Sequence, residues 1–543
     1  MHPCLGVDEI VRFLTRELVV SKAKKTAVAL ACCCKGFEDP VLDVLWETQE
    51  RFGPLLRCFP ARDIWKKGET FVSWLAARIF SATNHRIRQS FKRIPTKAEW
   101  TNFRKYALRM RVLELDLSED VATSNTLLML QTRTANDPLL PGLKTFHCTN
   151  ATGEFIPFMP CFLSPTTTEI DIKFDEDTPT VVIGSTITRL PTLCPNLQRI
   201  LLNFLPRDPV ITEAVSEMLL AYNRDTLQWF LVDSPLTEEA REVVYRLPKL
   251  TQLWVVLRGR TSLPTMALPN LAVIDVEYED NLDWLEGFRG ARLESLDSAS
   301  FRSESRQIGD FLGKFANVAE TTPALTKISV FTFITSRSWN PSYRSLLSFA
   351  RMEELTIGFS CTGGCSSNVD DSVIVDLARA MPNLKILKLG NKPCRTRAGV
   401  TIKGLIGLAR GCSHLSELRI HFQTGSFNDT AISAQTAPLS DGEAKIRRHD
   451  CALTNLEVGD IPIQDGDQLT VTVTLLQIFP RLSNIEPVQE RWGDVLEGIK
   501  QYKRIGTLIH TTSKAHPSCK SLTFLMNDVL PGGTLNKEGK LES

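Results

Sequence analysis

The chain has 543 residues, 63 Lys and Arg against 62 Asp and Glu, a formal net charge of +1 and a hydrophobic fraction of 43%. This length predicts roughly two to four domains or one elongated repeat array. The composition excludes a collagen, a coiled coil and a largely disordered chain. The near-zero net charge argues against a general nucleic-acid coat, which requires a large basic excess.

The cysteines and the N-terminal residues bear on the compartment. The 14 cysteines form no regular framework, and Cys32, Cys33 and Cys34 are adjacent. We therefore expect a reducing environment rather than a set of disulfides. Charged residues interrupt the apolar stretches of the first twenty residues, and no window holds the roughly 18 apolar residues of a membrane span. The sequence predicts a cytoplasmic and/or nuclear protein.

Residues 1–60 are predicted to form a helical module of two or three helices. Three apolar stripes support this prediction: Ile10, Val11, Leu14 and Leu18; Ala27, Leu30, Ala31 and Cys34; and, after Pro40, Val41, Leu42, Leu45 and Trp46. About forty residues enclose too little apolar surface to be stable alone. The stripes are therefore expected to pack on the rest of the chain or on a partner.

Residues 61–110 are predicted to be linker helices, and the stretch 78–111 is basic. Its cations stand against the single acid Glu99, and they are Arg86, Arg88, Lys92, Arg93, Lys97, Arg104, Lys105, Arg109 and Arg111. Four aromatic residues are interleaved with them: Phe91, Trp100, Phe103 and Tyr106. Such a stretch fits a nucleic-acid or phosphate site. It also fits a connecting helix with a solvated face whose aromatic residues pack on the first repeat, and we favour this second interpretation.

From about residue 112 one pattern returns: an apolar residue, two of any kind, an apolar residue, one of any kind, an apolar residue. Its copies start 21 to 38 residues apart. The copies are Val112-Leu115-Leu117, Leu143-Phe146-Cys148, Thr167-Ile170-Ile172, Leu197-Ile200-Leu202, Leu227-Phe230-Val232, Leu250-Leu253-Val255, Leu271-Ile274-Val276, Leu293-Leu296-Ser298, Leu325-Ile328-Val330, Met352-Leu355-Ile357, Leu384-Leu387-Leu389, Leu415-Leu418-Ile420, Leu453-Leu456-Val458 and a degraded Leu482-Ile485.

The copies alternate with segments of helical period. Examples are Ile211-Val215-Met218-Leu219, Val373-Leu377-Ala380 and Ile402-Leu405-Leu408. The period-2 end of each copy is typical of a short strand with one buried face. A strand and a helix in each repeat is the leucine-rich-repeat signature, so residues 111–505 are predicted to form an α/β solenoid with a strand-lined concave face. Residues 425–450 are predicted to be a mobile loop, and residues 506–543 a partly disordered tail.

Residues flanking the apolar strand positions are expected to point to the concave face. Most of the charged ones are acidic: Glu114, Asp116, Glu169, Asp171, Asp233, Asp275, Glu277 and Asp297, opposed mainly by Lys173 and Arg199. We expect Trp229 and Trp254 to occupy equivalent positions of successive repeats. One hypothesis is that Asp171, Trp229, Asp233, Trp254, Asp275 and Glu277 bind a basic segment of a substrate. The alternative is a solvated strand face with stacked tryptophans.

Motifs for catalysis, metals and cofactors fail on their spacing. Gly309 to Lys314 has one residue too few for a phosphate loop, and Phe315 replaces its Ser or Thr. Cys361, Cys365 and Cys412 lack the second clustered pair of a structural zinc site. We expect no cofactor, no metal and no enzymatic activity, although an enzyme built from dispersed residues would leave no such motif.

The first module resembles a known family. Leu30-Ala31-Cys32-Cys33-Cys34-Lys35-Gly36-Phe37 and Pro40-Val41-Leu42-Asp43-Val44-Leu45-Trp46 are similar to the second half of an F-box, and Asp8 to Leu14 resembles its first helix. Gly6-Val7 stands where the family has Leu-Pro. Residues 95–107, 453–459, 478–482 and Trp492 are similar to the later parts of a fungal group of F-box proteins with leucine-rich repeats.

The resemblance implies a non-catalytic adaptor. An F-box binds a Skp1-like protein, which links it to an SCF-type cullin-RING ubiquitin ligase, while the solenoid holds a protein substrate. The residues implied to contact the Skp1-like partner are Leu5, Ile10, Val11, Leu14, Leu30, Cys34, Phe37, Pro40, Leu45 and Trp46. The alternatives are a ubiquitin-independent leucine-rich-repeat scaffold and nucleic-acid binding through residues 78–111.

Overall fold

The computed structural model describes residues 7–59, 64, 91–117, 124–133, 137–222, 225–257, 268–278, 292–303, 322, 324–334, 343–361, 369–390, 399–425, 451–458, 461–464, 467–487 and 490–515. The chain divides into two compact units, Met1–Val256 and Leu257–Ser543. In the described parts of both units, short parallel strands follow one another in chain order, with helices between many of them. The fold is therefore α/β, as predicted.

The first unit begins with a head of three helices, α1 (Asp8–Val20), α2 (Lys24–Cys33) and α3 (Lys35–Glu47). Buried Val11, Ala27, Phe37 and Val41 form its small core. We expected the third helix to begin after Pro40, but α3 begins at Lys35 and includes Pro40. Proline lacks a backbone N–H, so Pro40 cannot make the helical hydrogen bond one turn back, and its ring crowds the carbonyl of that turn.

The rest of the first unit carries seven strands and seven helices in its described residues. The strands are β1 (Thr48–Gln49), β2 (Val112–Asp116), β3 (Thr145–Ala151), β4 (Glu169–Phe174), β5 (Arg199–Asn203), β6 (Trp229–Pro235) and β7 (Gln252–Leu257). The helices are α4 (Gly53–Leu56), α5 (Lys97–Ala107), α6 (Ser124–Arg133), α7 (Thr180–Ile187), α8 (Leu190–Leu193), α9 (Pro209–Ala221) and α10 (Glu238–Val244), with a 3₁₀ helix at Ile156–Cys161.

The second unit carries eight strands and four α-helices in its described residues. The strands are β8 (Val273–Tyr278), β9 (Ser295–Ser303), β10 (Lys327–Ile334), β11 (Glu354–Cys361), β12 (Ile386–Leu389), β13 (Glu417–Arg419), β14 (Asn455–Val458) and β15 (Asn484–Pro487). The helices are α11 (Asp371–Ala380), α12 (Ile402–Gly411), α13 (Gln468–Ile478) and α14 (Glu490–Ala515), with a 3₁₀ helix at Tyr343–Ser348.

The strand register confirms most of the repeat pattern. In the first unit the second apolar positions align as Phe146, Ile170, Ile200, Phe230 and Leu253. In the second unit they align as Ile274, Leu296, Ile328, Leu355, Leu387, Leu418, Leu456 and Ile485. These aligned side chains are all buried. Both the weak copy at Thr167 and the degraded copy at Leu482 are confirmed as strands.

The first copy is predicted two residues out of register. Leu113, rather than Leu115, lies beside Phe146, and Leu115 lies beside Cys148. A shift of two residues keeps the same side chains on the same face of a strand, because side chains alternate with period 2. Glu114 and Asp116 are therefore exposed, as predicted.

Turns at the start of the strands repeat one hydrogen-bond arrangement. The backbone N–H groups of Thr168 and Glu169 both donate to the carbonyl of Lys144, and those of Gln198 and Arg199 both donate to Thr168. The same pairing recurs before β13, where Ser416 and Glu417 donate to Lys385. Each repeat thus satisfies the backbone of the next, which fixes the in-order parallel register.

The described chain ends in a long helix. Helix α14 extends to Ala515, ten residues into the predicted tail. Buried Trp492, Val495 and Ile499 tie its first turns to the second unit, and the indole N–H of Trp492 donates to the carbonyl of Ile461 at 2.8 Å. Residues 426–450 of the predicted loop and 516–543 of the tail lie outside the described residues. Within the described chain, no helix combines the length and apolarity needed to traverse a bilayer.

Candidate functional site

A pocket of about 400 Å³ lies on the solvent-facing side of strands β4 to β7 in the first unit. This pocket is here called the sheet pocket. Its lining residues are Asp171, Lys173, Leu201, Asn203, Phe204, Asp233 and Trp254. The strand alternation produces this face, because the residues between the outward positions are buried: Ile170, Ile172, Ile200, Leu202, Phe230, Val232 and Leu253. The prediction that Asp171, Asp233 and Trp254 share one face is therefore confirmed.

The carboxylate of Asp233 is hydrogen-bonded to the backbone of the pocket wall. Its two oxygens accept the backbone N–H groups of Phe204 at 2.6 Å and Leu205 at 3.0 Å. Burial raises the pKa of Asp233 although these hydrogen bonds act to lower it. Phe204 has a φ of 60°, a left-handed conformation that is costly for a bulky residue, and its ring is 59% exposed. Asp233 thus holds an aromatic side chain out at the rim.

Asp171 lies on the open side of the pocket. Its carboxylate receives two long contacts, from His147 Nδ1 at 3.4 Å and from Asn203 Nδ2 at 3.4 Å. The hydrogen bond with Asp171 raises the pKa of His147 above its ordinary value, although burial opposes this.

Trp229 stands outside the pocket lining. The guanidinium carbon of Arg199 lies 3.1 Å from the centroid of its ring, and Arg199 also pairs with Glu169 at 3.2 Å. The cation–π contact covers one face of Trp229, and the ion pair neutralises Glu169. Trp229 therefore packs against Arg199 outside the pocket lining, a difference from Trp254 that sequence reasoning did not anticipate.

The predicted equivalence of the two tryptophans is wrong. Trp229 is paired in register with Gln252, whereas Trp254 is paired with Leu231, two positions further along the strand. The rings therefore do not form a stacked pair of equivalent residues. Trp254 instead continues an apolar row formed by Leu201 and Leu231.

Asp275 and Glu277 lie on β8, in the second unit. Glu277 is only 8% exposed, although the period-2 alternation of β8 places it on the same strand face as Asp275. Burial, with added repulsion from Asp297 and Glu277, raises the pKa of Asp275 to about 7. Asp297 is the register neighbour of Asp275 on β9. Neither Asp275 nor Glu277 lines the sheet pocket.

The head buries part of the predicted partner-contact set. Val11, Phe37 and Pro40 are buried within the chain, and their contact with a partner stays a prediction. Leu30, Cys34 and Leu45 pack at the edge of the same core and are half-buried. The ring of Trp46 lies 4.8 Å from that of Tyr106 on α5. Leu5 lies outside the described residues.

A different face of α1 remains open. Ile10, Phe13 and Leu14 are 36%, 61% and 40% exposed, and they share one side of the helix by their i, i+3, i+4 spacing. This set, here called the head face, includes two of the predicted residues. Sequence reasoning missed Phe13, although its spacing from Ile10 was a sufficient signal.

The described part of the basic stretch is largely paired within the chain. Arg104 pairs with Asp137 at 2.8 Å, Lys105 with Glu38 at 2.9 Å and Arg93 with Glu99 at 2.9 Å. Arg109 pairs with Asp39 and Asp43 of α3. The rings of Phe91, Trp100 and Phe103 surround that of Phe59 at 4.8 to 5.4 Å. This arrangement agrees with a connecting helix and leaves few cations there for a phosphate backbone.

Nine cysteines with described side chains are free thiols: Cys32, Cys33, Cys34, Cys58, Cys148, Cys161, Cys194, Cys412 and Cys451. Cys412 is buried, with its sulfur 3.5 Å from the carbonyl oxygen of Met381, and burial raises its pKa to about 12. Cys365 lies outside the described residues. Among the residues that the structure describes, no three His, Cys, Asp or Glu side chains gather closely enough to hold a metal ion.

No protein-family model matches the chain, and no curated protein matches it at a significant level. The head face and the sheet pocket are therefore the features that bear on function.

Proposed function

We propose that this protein is the substrate-recognition adaptor of an SCF-type cullin-RING ubiquitin ligase. In this proposal the head is an F-box-like module that binds a Skp1-like protein. The strands and helices that follow form a leucine-rich-repeat solenoid whose open strand face binds a protein substrate.

The head face is the observation that carries the proposal. Three large apolar side chains are exposed on one helix of a module whose hydrophobic core cluster is small, with buried Val11, Ala27, Phe37 and Val41. Apolar helix faces of this kind bury against partner helices, and a few large apolar residues supply most of the binding free energy. The buried Val11 and the pairing of Arg12 with Asp43 at 2.8 Å hold α1 with the head face outward.

An adaptor requires no nucleophile of its own. The ubiquitin thioester chemistry lies on other subunits of such a ligase, and the adaptor raises the local concentration of the substrate near the charged enzyme. Burial raises the pKa of Cys148, Cys161 and Cys194 to about 12, which keeps these three thiols protonated at neutral pH.

Capture of a Skp1-like protein by the tagged full-length chain tests the proposal. Ile10→Asp, Phe13→Asp and Leu14→Asp should each reduce the captured amount at least tenfold, because a carboxylate would be desolvated in an apolar interface. All three positions are exposed, so the charge does not enter the core of the head.

Leu128→Asp is the matched control, because Leu128 is 51% exposed on α6, away from the head. It should capture the Skp1-like protein as the unmodified chain does. Failure of the unmodified chain to capture it, or equal capture by all variants, would reject the adaptor proposal.

A ubiquitin-independent interaction scaffold is the second candidate. The burial of Val11, Phe37 and Pro40, with Trp46 packed on Tyr106, favours it because these residues are occupied within the chain. The scaffold predicts ligand binding at the open strand face with no capture of a Skp1-like protein.

A further inference from the structure

We infer that the sheet pocket binds an extended protein segment carrying a basic side chain and a large apolar side chain, with Asp171 accepting the cation and Leu201, Phe204 and Trp254 contacting the apolar group. This inference deepens the proposed function, on which it rests, by naming the chemical class of the substrate segment.

The apolar half of the pocket follows from the strand register. Leu201, Leu231 and Trp254 are successive neighbours on β5, β6 and β7, and all three are partly exposed. Phe204 extends this surface at the end of β5, where its ring is held outward by the backbone contacts with Asp233. Outward-facing strand positions are usually polar, so a continuous apolar row beside an exposed aromatic ring indicates a surface that a ligand covers.

The charged half of the pocket favours a cation. Asp233 is already engaged by two backbone N–H groups, and Arg199 neutralises Glu169 on the adjoining row. Asp171 keeps acceptor capacity, because its two contacts are both 3.4 Å long. Glu114 lies two strands away on the same row, beside His147. The pocket lining therefore holds two carboxylates, Asp171 and Asp233, against one cation, Lys173.

Lys173 in the pocket lining opposes a basic ligand, and Arg207 acts in the same sense near Asp233. Lys173 lies two residues after Asp171 on the same face of β4, and its side chain is exposed at the rim. Removing the charge of Lys173 should therefore strengthen binding of a basic segment, whereas removing the charge of Asp171 should weaken it. An acidic ligand would reverse both signs.

Binding of fluorescein-labelled seven-residue peptide pools to the full-length chain tests the inference. Each pool fixes one residue type at one position and randomises the others. Pools fixed with Lys or Arg, and pools fixed with Leu, Phe or Trp, should be retained most, and pools fixed with Asp or Glu least. The best single peptide is then titrated against variants by fluorescence polarisation.

Asp171→Asn and Trp254→Ala should each weaken binding of that peptide about tenfold, and Lys173→Gln should strengthen it about threefold. Glu217→Gln and Leu220→Ala are matched controls, because both residues are exposed on α9 outside the pocket lining. Both control variants should bind the peptide as the unmodified chain does. Thermal unfolding of every variant identifies any loss of peptide affinity that is caused by misfolding. If Trp254→Ala is misfolded, Phe204→Ala replaces it as the test of the apolar half of the pocket.

Selection of acidic pools, equal retention of all pools, or unchanged affinity in both Asp171→Asn and Trp254→Ala would overturn the inference. Capture of the Skp1-like protein is measured on the same preparations. Lost peptide selection with intact capture rejects the pocket inference alone. Peptide selection without capture rejects the adaptor proposal and leaves the pocket as the ligand site of a scaffold.

Discussion

The carboxylates on the strand faces differ in the groups that surround them. Asp233 accepts hydrogen bonds from backbone N–H groups, and Asp171 contacts a histidine. Asp275 instead lies near two other carboxylates, those of Asp297 and Glu277. The pKa of Asp275 is raised to about 7 by burial, then by Asp297 and Glu277. Its folded form therefore binds a proton that the unfolded chain has already released above pH about 4.

Asp275 should make the second unit less stable as the pH rises from about 4 to about 7, because the folded state binds more protons in that window. Asp275→Asn should remove this slope and raise the free energy of unfolding at pH 8 by about 1–2 kcal/mol, after allowance for solvent screening. Urea unfolding at pH 5 and pH 8 measures the effect. Asp494→Asn, at an exposed position of α14, serves as the control. An unchanged slope in Asp275→Asn would contradict this account of its pKa.

At the scale of elements, the attachment of the head to α5 is the contact that sequence reasoning could not supply. Arg109 lies 13% exposed just after α5 and engages the carboxylates of Asp39 and Asp43, as well as the carbonyl of Asp39 at 3.1 Å. Those residues are about 70 positions apart in the chain, and no local pattern links them. The apolar stripes predicted three helices. Which face of each helix packs against the rest of the chain depends on these distant pairs, which the stripes do not reveal.

Arg109→Ala should lower the stability of the head by about 1–3 kcal/mol, because it leaves two carboxylates of α3 without their shared cation. Hydrogen exchange of the α3 amides should rise accordingly. Arg104→Ala on the preceding helix α5 is the matched control, since its pair with Asp137 is exposed on both sides and is worth less than about 1 kcal/mol. Equal protection of α3 in both variants would show that Arg109 does not anchor the head.

At the scale of the whole molecule, the strand phase was predictable and the side-chain partners were not. The period-2 alternation correctly predicted that Ile200 and Leu202 are buried and that Asp171 faces outward. The two-residue register shift at Leu113 did not change which residues of that strand are buried. The capture of Asp233 by the Phe204 and Leu205 amides depends on a left-handed turn in a different repeat. In the second unit, Lys388 pairs across strands with Glu417 at 2.9 Å, a contact that only the register defines.

Each unit has its own buried rows, so damage to one row should remain local. Leu387 is fully buried on β12, between Leu355 and Leu418 in register. Leu387→Ala should cost about 2–5 kcal/mol and raise hydrogen exchange in β11 to β14, with β4 to β6 unaffected. Leu202→Ala in the first unit is the reciprocal variant. Equal loss of protection in both units would contradict the division of the chain.

The parallel register also sets a length for any chain that crosses it. Neighbouring strand backbones are about 4.8 Å apart, so β4 and β7 are separated by about 14 Å, which equals about four residues of extended polypeptide. Side chains four positions apart point to the same side of such a polypeptide. A cationic residue opposite Asp171 and a bulky one opposite Trp254 would therefore stand at i and i+4.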